Sequence, residues 1–300
     1  SMAQIRVGFV GLSASGWAAN ALFPSFQVPS VRSSFVITAL CTSSAASAST
    51  AVALYEEQVG SPIKAYHGPD GISQLVRDPK VDLVVVSVKA PSHKEPVLAA
   101  IEAGKDVFIE WPAGATLEET MEIEKQAKAK GVKVIVGLQG RHSATTKVIK
   151  DTIESGKLGK VLSSTMVRHL TSRNKLYGLT SLEYAPPCDR LTLPTGATFA
   201  EIVLGHQLDT FTHVLGNFST VSATSTIIYP TATVVDSKLT PPPTIRVTAA
   251  DHIALTGILA SGALVSMIYR AGYESTSGRT AFLWEIDCEK GSIRVEVPPS

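Results

Sequence analysis

Over the first 140 residues, short apolar runs rich in β-branched side chains alternate with longer amphipathic stretches, and few folds accept that rhythm. IRVGFVG (5–11), FVITALC (35–41), VDLVVVSV (81–88), DVFIEW (106–111) and VKVIVGLQ (132–139) are almost continuously apolar, as strands buried on both faces require. Between them lie helical stretches: WAANALFPSFQ (17–27), AASASTAVALYEEQVG (45–60), DGISQLVRD (70–78), SHKEPVLAAIEAG (92–104) and LEETMEIEKQAKAKG (117–131). Gly104 and Gly131 fall where a helix stops before the next strand. This alternation predicts an α/β Rossmann domain with a parallel, doubly wound sheet over residues 4–141.

The rhythm then changes. One more helix, TTKVIKDTIESGKLG (145–159), leads to KVLSSTMVRHL (160–170), an irregular stretch with three prolines (171–196) and a helix over Phe199 to Leu215. STVSATSTIIY, TIRVTAADHIALTGIL, ALVSMIYRAG, AFLWEIDCEKG and SIRVEV follow with no helix between them. That succession predicts an α+β domain over 142–300 with a large, mostly antiparallel sheet. YPTATVVDSKLTPPPT (229–244) reads as an exposed loop. The abrupt end after a strand leads us to expect a further C-terminal tail.

The 27 basic and 26 acidic residues give a formal net charge of +1 without long like-charge runs. Binding of nucleic acid or an acidic membrane through bulk electrostatics is therefore not expected. Cys41, Cys188 and Cys288 are too few and too scattered for a disulfide framework or a zinc site, which suits a reducing, intracellular, cytoplasmic setting. No apolar run reaches the length of a membrane span.

The turn after the first strand is Gly11-Leu-Ser-Ala-Ser-Gly16. Against G-x-G-x-x-G it keeps the outer glycines and puts Ser13 where a missing Cβ lets a pyrophosphate approach. Its place between a first strand and a first helix makes Gly11, Ser13, Ser15, Gly16 and Trp17 candidate cofactor residues; a plain packing turn is the alternative. At the end of the second strand, where an acid would favour NAD, stand Thr42, Ser43 and Ser44. Small hydroxyls there favour NADP, with NAD possible, or they simply cap the next helix.

VGFVG, VVVSVKAPSH, AIEAGKDVFIEWP, GLQGR and GHQLDTFTHVLG together resemble the glucose-fructose oxidoreductase, inositol dehydrogenase and rhizopine-catabolism family (Gfo/Idh/MocA). The resemblance implies a Rossmann domain that carries NAD(P) and a second domain with an open-faced sheet that serves the substrate and a homodimer contact. Family enzymes have Glu-Lys-Pro where this chain has Glu110-Trp111-Pro112, and that Lys helps to polarise the substrate oxygen. They also have Asp-x-x-x-His, of which His206 is present while Ile202 replaces the Asp, and Glu201 is out of phase. Gly16-Trp17, Glu110-Trp111, LQGR and GH-x-x-D are similar to a fungal branch whose best known member is the yeast galactose-pathway repressor Gal80, which binds NAD(P) and masks an activation domain.

The resemblance makes His206 a proton donor or acceptor, the alternative being a core histidine tied to Asp209. Trp111 becomes an apolar wall beside the nicotinamide. Lys89, after the fourth strand, is a cation available to replace the lost Lys, or a solvated one. His93 is a cofactor-loop residue or a helix cap, and Glu110 holds the nicotinamide ribose or polarises its turn. Arg141, Asp209, Arg173 and Tyr177 are candidate substrate residues, Arg141 alternatively pairing with an acid, and Arg168, His169, Lys175 and Tyr184 belong to the stretch that would roof the site; an anionic or aromatic ligand suits that stretch, scattered surface charges being the alternative. Three functions compete: an NADP-dependent oxidoreductase on a small carbonyl or alcohol, a non-redox enzyme working by proton transfer (isomerisation, elimination or cyclisation), and a Gal80-like regulator that senses NAD(P).

Overall fold

The computed structural model describes residues 3–170, 198, 200–233, 244–272 and 278–297 of the chain. The chain divides into two units, Ser1–Gly137 and Leu138–Ser300.

The first unit is built on six strands, β1 (Ile5–Val10), β2 (Phe35–Thr42), β3 (Lys64–His67), β4 (Leu83–Val86), β5 (Asp106–Ile109) and β6 (Val134–Val136). All pair in parallel, in the order β3-β2-β1-β4-β5-β6. The order reverses at β1/β4, so ligands of such a sheet bind beyond the C-terminal ends of those strands. Its helices are α1 (Phe23–Gln27), α2 (Pro29–Arg32), α3 (Ala45–Val59), α4 (Gly71–Arg77), α5 (Lys94–Glu102) and α6 (Leu117–Lys130).

Each face of the sheet buries its own cluster. Val10, Val84, Val86, Val107 and Ile109 pack with Val97, Ile101 and Ile123 on one side. Val7, Phe9, Ile37 and Leu40 pack with Phe23, Ala51 and Tyr55 on the other. The apolar runs are continuous because successive side chains alternate between two buried layers.

Two elements differ from expectation. β3 was marked by no apolar run: it is an edge strand with only Tyr66 buried among its four residues, so its sequence, Lys-Ala-Tyr-His, carries no core pattern. The helix expected over 17–27 is a π-helical turn, Ala18–Leu22, followed by α1. Pro24 has no N–H to offer the carbonyl of Asn20, so a regular α-helix cannot run through this stretch.

The second unit carries α7 (Ala144–Glu154), β7 (Val161–His169), a π-helical turn (Ala200–Leu204), α8 (Gly205–Leu215), β8 (Phe218–Thr226), β9 (Thr231–Thr233), β10 (Thr244–Arg246), β11 (His252–Leu259), β12 (Leu264–Arg270), β13 (Phe282–Cys288) and β14 (Gly291–Val297). Six strands form a sheet ordered β14-β13-β7-β12-β11-β8, antiparallel except for the β7/β12 pair. One face is covered: Met166, Val265, Met267, Trp284 and Ile286 pack with Ile149 of α7 and Phe211 and Val214 of α8. The indole N–H of Trp284 donates to Ser164 Oγ at 3.0 Å, so this large ring is buried without an orphaned donor. On the opposite face no helix packs among the described residues, and Leu264 is 59% and Ile258 44% exposed.

The stretch 229–244 is not wholly a loop, since Thr231–Thr233 pairs antiparallel with Thr244–Arg246 as a separate ribbon. The helix expected over Phe199 to Leu215 is broken at Leu204 into the π-helical turn and α8. Among the described residues no helix is long and apolar enough to cross a membrane.

Candidate functional site

The turn after β1 is shaped by its two outer glycines. Gly11 has φ +100°, and a Cβ there would lie 2.2 Å from the Ser87 carbonyl oxygen, so the position excludes any side chain on two grounds. Gly16 has φ +103° but open space, its nearest atom being Ser13 Oγ at 4.0 Å, so only its conformation demands glycine. Ser13 folds back: its hydroxyl donates to the Ser15 carbonyl at 2.5 Å, and its own carbonyl accepts from the buried Tyr55 hydroxyl at 2.7 Å. The turn is thus clamped from α3, and Gly11 N–H is bonded to Cys41 O at 2.9 Å across β1/β2. Ser15, Gly16 and Trp17 are exposed, with Trp17 at 60%.

Of the three hydroxyls after β2, two are engaged locally. Thr42 Oγ1 donates to Ser44 O at 3.2 Å, and Ser44 caps α3 by accepting Ser47 N–H at 3.2 Å. Ser43 is exposed. Cys41 beside them is no nucleophile, because burial pushes its thiol pKa up to about 11.

Beyond β5 the peptide between Trp111 and Pro112 is cis. Glu110, at the end of β5, is half-buried. Burial raises the Glu110 pKa and the polar edge of the Trp17 side chain opposes this. A Cβ at Gly137 would lie 3.1 Å from Phe108 Cζ but at an ordinary 3.5 Å from Glu110 Oε2, so the tight approach there is to the Phe108 ring. Lys89 is exposed in the turn between β4 and a short 3₁₀ turn, Ala90–Ser92.

His93 precedes α5 but does not cap it. Its imidazole is buried, with Nδ1 2.8 Å from the Pro112 carbonyl and Nε2 3.0 Å from the Val88 carbonyl. The ring ties the loop after β4 to the loop after β5, and this replaces the capping expectation. Burial lowers its pKa while the two carbonyls act in the opposite sense.

In the second unit His206 stands in the first turn of α8, where burial lowers its pKa and Asp209 acts to raise it. A neutral imidazole near neutral pH is able to accept or pass on a proton. Asp209, with its side chain 10% exposed, is held by Arg141: Nε lies 2.7 Å from Oδ2 and 2.9 Å from Oδ1, and Nη2 also donates to Oδ1. The two candidate substrate residues therefore bind each other in a bidentate fork. Glu201 is accounted for differently. Its carboxylate accepts Thr198 N–H at 2.7 Å while Thr198 Oγ1 accepts Glu201 N–H at 3.4 Å, a capping box that was legible as Thr-x-x-Glu.

Arg168 lies over the Phe282 ring, 5.7 Å from its centroid. Arg173, Lys175, Tyr177 and Tyr184, like Cys188, lie outside the described residues. Sequence reasoning allowed that Arg141 pairs with an acid but did not identify Asp209 as that acid, because the pair spans 68 positions without a local pattern.

A parallel sheet in this strand order, with a glycine turn after β1, defines a dinucleotide-binding class. Residues 5–138 match the oxidoreductase family with an NAD-binding Rossmann fold (GFO_IDH_MocA), and residues 145–297 match the C-terminal domain of Gal80p. The chain belongs to the Gfo/Idh/MocA oxidoreductase family and carries a Gal80-like second domain. It is 30% identical to dehydrogenase aclE of Aspergillus oryzae over 98% of this chain and 77% of that one. It is 25% identical to the galactose/lactose metabolism regulatory protein GAL80 of Saccharomyces cerevisiae over 98% of this chain and 67% of that one. A crystal structure of a super-repressor mutant of Gal80p from the same yeast superposes with a TM-score of 0.82 at 24% identity, covering 98% of this chain and 74% of that one. Levoglucosan dehydrogenase in complex with NADH and L-sorbose gives 0.76 at 21% identity, covering 98% and 73%.

Proposed function

We propose that this protein is an NAD(P)-dependent oxidoreductase acting on a small organic carbonyl or alcohol. The observation that carries the reading is the turn at Gly11, where only a missing Cβ leaves the backbone room beside the Ser87 carbonyl. A dinucleotide would lie against the turn that this close approach shapes, and its nicotinamide would supply the hydride chemistry. Gly11, Ser13, Ser15, Gly16 and Trp17 would meet the pyrophosphate side. Ser43, with Thr42 and Ser44, would meet the adenosine ribose, and the missing acid there favours NADP over NAD. Glu110 would take a ribose hydroxyl, and His93 would hold the loop beneath it. Trp111 would supply an apolar wall and Lys89 a cation, while His206 would give or take the proton that balances hydride transfer. Arg141 would act by fixing Asp209, and two copies would associate through the open face of the second sheet.

Calorimetric titration with NADP⁺, NADPH, NAD⁺ and NADH tests the cofactor. Selective binding of a phosphorylated form sustains the reading, and failure of all four would move the protein towards proton-transfer chemistry alone. With a carbonyl panel and NADPH, His206→Ala is expected to lower turnover by about 100-fold while keeping nucleotide affinity. Undiminished turnover would remove His206 from the mechanism.

The match of residues 145–297 to the Gal80p C-terminal domain favours a second reading, a regulator for which the nucleotide is a signal. An acidic activation-domain peptide would then bind, and no binding at micromolar peptide would sink that reading.

A further inference from the structure

The hydrogen bonds of the glycine turn fill four of its carbonyls and leave three of its N–H groups open. The carbonyl of Gly11 accepts Ser13 N–H at 3.1 Å, that of Ser15 accepts the Ser13 hydroxyl at 2.5 Å, and that of Gly16 accepts Asn20 N–H at 3.1 Å. These three donors are local. The Ser13 carbonyl is filled from elsewhere, by the Tyr55 hydroxyl of α3 at 2.7 Å, 42 positions along the chain. Among the described residues nothing accepts from the N–H groups of Ala14, Ser15 and Gly16, and all three residues are exposed. That balance of filled acceptors and open donors favours an anion beside the turn.

The core fixes where that hydroxyl sits. Tyr55 is 2% exposed, and its ring packs on Phe23 with centroids 4.3 Å apart, in the cluster that also holds Phe9 and Leu12. A carbonyl only accepts, so the hydroxyl is the donor. Burial raises its pKa and so keeps the proton on it. The Ser13 carbonyl shares one planar peptide with the N–H of Ala14, and that peptide is trans. In a trans peptide the C=O and the N–H point in opposite directions. A hydroxyl that holds the Ser13 carbonyl towards the core therefore holds the Ala14 N–H away from it, on the exposed side of the turn.

We infer that Tyr55 is a positioning residue for the nucleotide: its hydroxyl, acting through the Ser13–Ala14 peptide, aims the Ala14 N–H at the pyrophosphate. The inference rests on the dinucleotide reading above and adds to it a residue that itself stays in the core. Without the hydroxyl the Ser13 carbonyl has no donor beside the core, and its peptide gains by rotating towards water. Such a rotation carries the Ala14 N–H out of line and brings the negative end of a carbonyl to the side of the anion. Tyr55→Phe keeps the ring and its contact with Phe23, so it tests the lost oxygen alone.

The test follows the amide resonances of Ala14, Ser15 and Gly16 by NMR in the wild type and in Tyr55→Phe while NADPH and, separately, NADH are added, with a urea midpoint for each protein. Saturable binding of at least one dinucleotide to the wild type is expected, with the Ala14 amide among the resonances that shift, and binding at least about tenfold weaker in Tyr55→Phe. A tyrosine with a merely structural role would lower the urea midpoint and leave the affinity of the folded variant unchanged. Equal affinity in the folded variant, or a wild-type Ala14 amide that the bound nucleotide leaves unshifted, would overturn the inference while the oxidoreductase reading stands. Binding of neither dinucleotide to the wild type would remove that reading and the inference with it. Should Tyr55→Phe fail to fold, exchange of the Tyr55 hydroxyl proton in the wild type decides: coupling is reciprocal, so bound nucleotide must slow this exchange, and an unchanged rate would overturn the inference.

Discussion

In the first unit the groups at the C-terminal ends of the strands are largely backbone: a glycine turn, the carbonyls that hold His93, and a cis peptide before Pro112. In the second unit the corresponding chemistry belongs to side chains, with His206 on α8, Asp209 gripped by Arg141, and Arg270 leaning on His169. A backbone site is specified by what must be absent, namely a Cβ. A side-chain site is specified by partners that meet only after folding. The two kinds of site should therefore fail differently when mutated.

The largest effect is expected at Gly11. Gly11→Ala meets both a left-handed φ of +100° and the Ser87 carbonyl at 2.2 Å, whereas Gly16→Ala meets only its φ of +103°. Urea unfolding should show Gly11→Ala losing roughly 2–4 kcal/mol and Gly16→Ala about 1–2 kcal/mol. Equal losses would mean that the space beside Ser87 is not what the first glycine protects.

Next in size is Arg141→Gln, which strands an Asp209 carboxylate that is 10% exposed. Because Arg141 itself is 43% exposed, solvent screening limits the expected loss to about 1–2 kcal/mol. Asp209→Asn in the same chain should recover part of it, since the stranded charge is then gone. A double mutant no more stable than Arg141→Gln would show that the fork, and not the buried charge, sets the cost.

These expectations also mark what the sequence could disclose. The parallel sheet was legible because five of its six strands read as nearly continuous apolar runs. β3 was not, because an edge strand with one buried residue in four carries no such signal. Gly11 and Gly16 stood out by type and spacing. Arg141 and Asp209 were each visible as candidates, yet their pairing spans 68 positions, and Arg270 meets His169 across 101. Side-chain partners of that kind are set by strand register and helix packing, which no local periodicity records. The absence of an acid after β2 was readable, whereas the local engagement of Thr42 and Ser44 depended on how the chain turned there.

The smallest effect is expected at the N-terminal ends of the first sheet, where the comparison can be sharpened with a side-chain pair in the backbone-dominated unit. Arg6, at the start of β1, meets Asp82, just before β4, through Nε to Oδ2 at 2.8 Å and Nη2 to Oδ1 at 2.6 Å, and its backbone N–H also reaches Oδ2 at 2.9 Å. The guanidinium holds the Asp82 pKa at about 2 against an ordinary 3.8. A depressed carboxylate pKa stabilises the fold above the unfolded value, and that contribution fades as pH falls from about 4 through about 2. Both side chains are 42% exposed, so salt and water screen the pair. Arg6→Gln should therefore raise the Asp82 midpoint in a carboxyl NMR titration while moving the urea midpoint at pH 7 only slightly. The stability gap between the variant and the wild type should close only once pH has fallen through about 2, because protonated Asp82 no longer distinguishes Arg from Gln. A gap that persists there would assign the stabilisation to packing of the Arg6 stem against the strand ends and not to its charge.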